Sequence, residues 1–106
     1  MNKPAATSVN LHPILAERWS PRSFDKQYEV STDDLTGILE AARWSPSANN
    51  FQPWKFLVAK RGDANFEKIS KTLTGFNATW APSASLFILV AAQTTNEDGT
   101  ARPYAL

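Results

Sequence analysis

Residues 31–59 read STDDLTGILEAARWSPSANNFQPWKFLVA, and this stretch sets the architecture because it passes from helical to extended periodicity across one loop. Ser31 is a good N-cap, and Asp34 three residues on completes a capping signal. Asp33 and Asp34 also put negative charge at the positive end of the helix dipole. Leu35, Ile38, Leu39 and Ala42 recur at helical spacing and form one apolar stripe. Ser45 precedes Pro46, whose ring drives the residue before it out of helical geometry, so the helix is predicted to stop near Trp44. Ser45 to Pro53 then reads as a polar loop, and Trp54 to Ala59 as a strand of aromatic and β-branched character.

Downstream, Asp63 can cap a helix reaching about Leu73, with Phe66, Ile69 and Leu73 on one side and Gly75 as its terminator. Leu86 to Ala92 is nearly continuous apolar sequence, the pattern of a strand covered on both faces. Gln93 to Pro103 returns to polar loop, and Tyr104-Ala105-Leu106 has the look of a new element beginning. Upstream, Met1 to Asn10 is polar or small and is expected to form a flexible arm, with 11–106 making one domain segment. Asn10 can cap a short helix over Leu11 to Glu17, where Pro13 is tolerated in the first turn, and Pro21 forces an extended approach at Ser20.

The order helix, helix, strand, helix, strand places the chain in the α+β class, a sheet flanked by helices. Two strands make a poor sheet, and a strand apolar on both faces needs neighbours and a second layer. The chain is therefore expected to supply only part of a complete domain, finished by sequence beyond Leu106 or by another chain.

Composition narrows the chemistry. Eleven Lys and Arg against ten Asp and Glu give a net charge of +1 and no field that would gather a polyanion. The locally basic stretch Lys55, Lys60, Arg61, Lys68 and Lys71 is interrupted by Asp63 and Glu67 and reads as a solvated surface, so no nucleic-acid partner is expected. With no cysteine, disulfides, thiolate catalysis and Cys-ligated metals are excluded, and the single His12 cannot make a His cluster. The longest apolar run, Leu86 to Ala92, is far short of a bilayer span, and the first ten residues lack the apolar core of a signal peptide. No membrane association and a cytoplasmic location are the expectation.

Several residues could contact a ligand. Arg18, Ser20 and Arg22 alternate around a proline and can converge on one phosphate if the segment is extended, since the planar guanidinium makes bidentate contacts with phosphate oxygens. The same residues could instead pair locally, Arg18 with Glu17 or a helix end and Arg22 with Asp25. Asn49, Asn50 and Gln52 could line a flat ligand or hydrogen-bond their own turn. Trp44 and Trp54 read as core or interface anchors rather than ligand-stacking rings. Asn77, between Gly75 and Trp80, offers both a donor and an acceptor to a heterocycle edge, or caps a turn. His12 reads as structural or exposed rather than a general base. No phosphate-binding glycine loop, nucleophile elbow or zinc signature is present, so an enzyme built on this chain requires a cofactor for its reactivity.

Taken together, Arg18-Trp19-Ser20-Pro21-Arg22, then Pro46-Ser47-Ala48-Asn49-Asn50-Phe51-Gln52-Pro53-Trp54, then Asn77 ahead of Trp80-Ala81-Pro82, resemble the N-terminal half of the FMN-dependent nitroreductase family. The resemblance runs from about Leu11 to Leu106. It implies that Arg18, Ser20 and Arg22 bind the FMN phosphate and ribityl chain, that the backbone of Trp19 lies near the cofactor, that Pro46, Ser47, Ala48 and Asn50 run along the flavin ring, and that Asn77 meets the ring's polar edge. It further implies a homodimer with FMN sites at the subunit interface. NADH or NADPH would act as donor, and a nitroaromatic, quinone or related small molecule as acceptor, with no obligatory catalytic side chain. The alternative is a noncatalytic flavin-binding or interaction module completed by a partner chain.

Overall fold

The computed structural model describes residues 4–103 and 105. Helix α1 spans Pro13–Glu17 and is capped by His12 rather than Asn10, with the His12 Nδ1 accepting from the Ile14 amide at 3.3 Å. The proline explains the later start: the residue before Pro13 is pushed to extended geometry, and His12 at φ −56°, ψ 136° can only be a cap. The Ala5 amide donates to the Ala16 carbonyl at 2.7 Å, which ties the preceding segment to the end of α1.

Helix α2 spans Thr32–Arg43 as its capping signal predicts. The Ser31 hydroxyl accepts from the Asp34 amide at 3.0 Å and donates to the Asp34 carboxylate at 2.8 Å. A 3-10 turn at Ala48–Asn50 leads through buried Pro53 into strand β1, Trp54–Lys60. Strand β2 is Leu86–Ala92 and pairs antiparallel with β1, from Trp54 opposite Ala92 to Lys60 opposite Leu86. Hydrogen bonds from the Gln93 amide to the Pro53 carbonyl and from the Arg61 amide to the Ser85 carbonyl continue the ladder past both ends.

The connection between the strands carries helix α3, Ala64–Thr72, and the single-turn helix α4, Asn77–Trp80, which sequence periodicity did not predict. Asp63 precedes α3, but its carboxylate accepts from the Lys60 amide at 3.0 Å and so closes the β1–α3 turn instead of capping the helix. Gly75, expected to terminate α3, does not. The helix ends at Thr72 with Leu73 already extended, and Gly75 at φ 58° makes the left-handed bend that opens α4.

The core lies where α3 crosses the sheet. Phe66 stacks on Phe87 with ring centroids 4.5 Å apart, and Phe87 stands opposite Ala59, which is fully buried. Away from this crossing the sheet is open: Leu57, Leu89 and Val90 are 43%, 51% and 60% exposed. The expectation that β2 is covered on both faces is not met within this chain, because α3 reaches one end of one face and Leu89 to Ala92 lie beyond it. Tyr104 and Leu106, read as the start of a further element, fall outside the described residues.

Candidate functional site

The segment after α1 is extended at Arg18, at φ −67°, ψ 132°. The Arg18 Nη1 donates to the Ser20 hydroxyl at 3.4 Å, which brings the two alternating side chains together. Neither arginine makes the local ion pair that composition allowed: among the described residues the ion pair is Arg43 with Glu40, and Asp25 instead accepts from the Gln27 amide at 2.8 Å. The Arg22 guanidinium lies over the Phe76 ring, 5.7 Å from its centroid, and Phe24 packs on Trp80 at 5.6 Å. These two contacts lay the arm along α4 at Arg22 and Phe24, and Trp19 precedes them in the same arm.

Asn77 opens α4, where its Oδ1 accepts from the Trp80 indole at 3.2 Å. That bond decides what Asn77 can offer. With the carbonyl oxygen engaged, its remaining capacity is mainly the two N–H donors of Nδ2. The Arg22 guanidinium thus lies over the residue that precedes Asn77 in the chain, while Asn77 itself is bonded to Trp80.

The loop bearing Pro46, Ser47, Ala48 and Asn50 is organised by its own hydrogen bonds. The Ser47 hydroxyl accepts from the Gln52 amide at 2.8 Å, and the Gln52 Nε2 donates to the Asn50 Oδ1 at 2.8 Å. These bonds close the loop on itself and do not reach the arm. Asn49, Asn50 and Gln52 have φ of 51°, 54° and 46°, three non-glycine residues in the left-handed region within four positions. Such geometry costs about 1 kcal/mol or more at each residue and persists only where the surroundings impose it. Asparagine tolerates it better than most residues, which accounts for the Asn-Asn pair here.

Sequence reasoning missed two groups. Arg61, grouped with the solvated lysines, is partly buried and donates to the carbonyls of Lys26, Ser83 and Ala84. Its place at the end of a strand, before a glycine, was the available signal. The second group is a knot at the end of α2. Glu40 accepts from the Arg43 Nε at 2.9 Å and from the Trp44 indole at 2.9 Å, while Arg43 lies 5.2 Å from the Trp44 ring centroid. The Arg43 hydrogen bond, helped by that from Trp44, holds the Glu40 carboxyl at about 2, well below the ordinary 4.5, and the same pairing raises Arg43. Trp44 is 74% exposed, so it is not a core residue of this chain. Beside the knot, Leu39, Arg43, Gln52, Trp54, Phe56 and Val58 line an open cleft of about 380 Å³.

Among the described residues no group of His, Asp and Glu could hold a metal ion, and no helix is long and apolar enough to cross a membrane.

The crystal structure of an oxidoreductase containing FMN superposes on this chain with a TM-score of 0.78 at 32% sequence identity, over 89% of this chain and 48% of that one. The architecture is thus the α+β fold of the nitroreductase-like oxidoreductases, represented in part. The model of the nitroreductase family matches residues 15–86, and the chain belongs to that family. It is 38% identical over 77 residues to the oxygen-insensitive NADPH nitroreductase of Helicobacter acinonychis (strain Sheeba), covering 73% of this chain and 36% of that protein. It is 31% identical over 96 residues to the CLA biosynthesis enone reductase of Lactiplantibacillus plantarum, covering 89% of this chain and 44% of that protein. The chain spans less than half the length of each of these relatives.

Proposed function

We propose that this chain contributes one side of an FMN site in an oxidoreductase that draws reducing equivalents from NADH or NADPH. The acceptor would be a nitroaromatic, quinone or related small molecule. The observation that carries the reading is that the Arg22 guanidinium, free of any carboxylate ion pair among the described residues, lies over Phe76, the residue before Asn77. Arg22 supplies a cation suited to phosphate, and Asn77 keeps N–H donors suited to the polar edge of a flavin ring. Family membership and the likeness to an oxidoreductase containing FMN support it.

The residues present suit the cofactor. Arg18 and Arg22 make no ion pair with a carboxylate among the described residues, so both charges are available to a phosphate, with Ser20 beside Arg18 as a further hydroxyl. The Nδ2 donors of Asn77 fit an acceptor on the ring edge. The loop bearing Pro46, Ser47, Ala48 and Asn50, fixed by Gln52, would run along the flat ring. The arm would bring the backbone of Trp19 near the same ligand. FMN, when bound, supplies the hydride-accepting and electron-donating chemistry, and the chain's own groups bind and orient it. We place the assembled protein in the cytoplasm as a homodimer, with residues 1–10 as an arm ahead of the flavin-binding segment.

Flavin titration of the full-length protein tests this. Yellow protein whose flavin absorbance bleaches on addition of NADH or NADPH is the expected result. Protein that stays colourless with excess FMN rejects the reading. Protein that binds FMN yet is not reduced by either nucleotide is a flavin-binding module, not an enzyme.

A further inference from the structure

The arm that carries Arg18, Ser20 and Arg22 contains neither helix nor strand from Arg18 to Ser31. An ordered phosphate site needs such a segment held in place, because each residue left mobile must be immobilised when ligand binds, and affinity falls by that entropy. Aromatic contacts at Arg22 and Phe24 dock its middle on α4. Its far end is a turn in which the Tyr28 amide donates to the Asp25 carbonyl, leaving the Lys26 carbonyl pointing away. That carbonyl receives a hydrogen bond from the Nη1 of Arg61.

Arg61 is itself anchored. It follows β1 directly, and its amide donates to the Ser85 carbonyl at 2.9 Å as an extension of the β1–β2 ladder. The rest of its guanidinium is spent on the segment just before β2, Nε to the Ala84 carbonyl at 3.2 Å and Nη2 to the Ser83 carbonyl at 3.0 Å. Three carbonyls on two separate segments use the fork of one planar group, a geometry that a lysine ammonium cannot reproduce. α4 has additional restraints of its own: the Ser83 hydroxyl donates to the Trp80 carbonyl at 2.6 Å, the Ala84 amide to the Ala81 carbonyl at 3.0 Å, and the Trp80 indole to Asn77. Loss of Arg61 removes the tie to the Lys26 carbonyl directly, whereas the Trp80 bond to Asn77 within α4 does not involve Arg61.

From this asymmetry we propose that Arg61 is a positioning residue for the phosphate arm, fixing Arg18 and Arg22 through the Lys26 carbonyl without touching the ligand. The inference rests on the FMN reading above and assigns to Arg61 control of selectivity between phosphorylated and unphosphorylated flavin.

The test compares FMN and riboflavin binding to the full-length protein by fluorescence titration. Arg61→Met weakens FMN about ten-fold or more while changing riboflavin less than about three-fold, because the contacts it disorders are those to phosphate. Arg61→Lys, which keeps the charge but not the fork, shows the same selective loss in smaller measure and serves if the methionine variant does not fold. In a double-mutant cycle the Arg61 effect on FMN shrinks once Arg22 is already alanine, as required of a residue acting through the arm. Equal losses for both flavins, or full additivity with Arg22→Ala, overturn the proposal. If wild-type protein binds no FMN, or Arg22→Ala loses both flavins equally, the FMN reading fails instead. An intact Arg22 effect with a silent Arg61 rejects this inference alone.

Discussion

Arg22 and Phe76 lie fifty-four positions apart in the chain and are joined by a cation over a ring: the Arg22 guanidinium sits 5.7 Å from the centroid of Phe76, the residue immediately before Asn77. The contact docks the Arg22 side chain against the ring without neutralising it, so the charge is still available to an anion. Arg22→Ala is expected to weaken FMN by about 2 kcal/mol, roughly thirty-fold, the scale of a charge-assisted hydrogen bond. Riboflavin should be almost unaffected, and paired titrations with the two flavins measure the difference.

A second expectation concerns the left-handed loop. Asn49→Ile forces a β-branched side chain into φ 51° and should lower stability by about 1–2 kcal/mol, read from the denaturant midpoint. Asn49→Gly at the same position should be neutral or mildly stabilising. Similar destabilisation by both variants would mean that the loop is not strained in the folded protein.

Ser47→Ala removes the acceptor for the Gln52 amide and is expected to cost about 1 kcal/mol. The loss should be accompanied by faster exchange of the Gln52 amide proton. An unchanged exchange rate would show that another group holds that amide.

The Glu40 knot predicts a pH dependence. Its carboxyl titrates at about 2 in the folded chain against an ordinary value of 4.5, so any stability it contributes is fully present above 4.5 and is lost as pH falls toward and through about 2. Both partners are exposed and water screens the pair, so the titration itself is the sharper observable. Carboxyl NMR should place the Glu40 midpoint near 2 in the wild type and move it back toward 4.5 in Arg43→Met.

Phe66→Ala should be the most disruptive of these changes, about 3 kcal/mol in thermal or denaturant unfolding, because Phe66 is 3% exposed and is the large side chain joining α3 to Phe87. A loss under about 1 kcal/mol would mean that α3 is held by other contacts.

Much of this architecture was legible in the residues. The capping hydroxyl of Ser31 and the stop at Pro46 bounded α2, and the apolar run from Leu86 gave β2 its full extent, because these signals are local. What escaped was decided by partners distant in sequence. Arg61 looked like one more surface cation until its three carbonyl partners, up to 35 positions away, were in place. α4 is too short to show periodicity, and Gly75 serves it because α3 had already ended in an extended residue. The pairing of Ser20 with Arg18 was within reach of the sequence. The stacking of Arg22 on Phe76 was not, since nothing in either segment names the other.

The separation of β1 from β2 also has a consequence in time. Residues 61–85 lie between the strands, so during synthesis Trp54 to Lys60 leaves the ribosome well before its only partner strand among the described residues. For that interval a seven-residue segment of high β propensity is unpaired on both edges, the pattern that recruits other nascent chains into aggregates. Lys55 and Lys60, both exposed in the folded chain, place a positive charge near each end of that segment. Such flanking charges suit gatekeepers, and removing both should lower the yield of soluble protein while leaving the folded sheet intact.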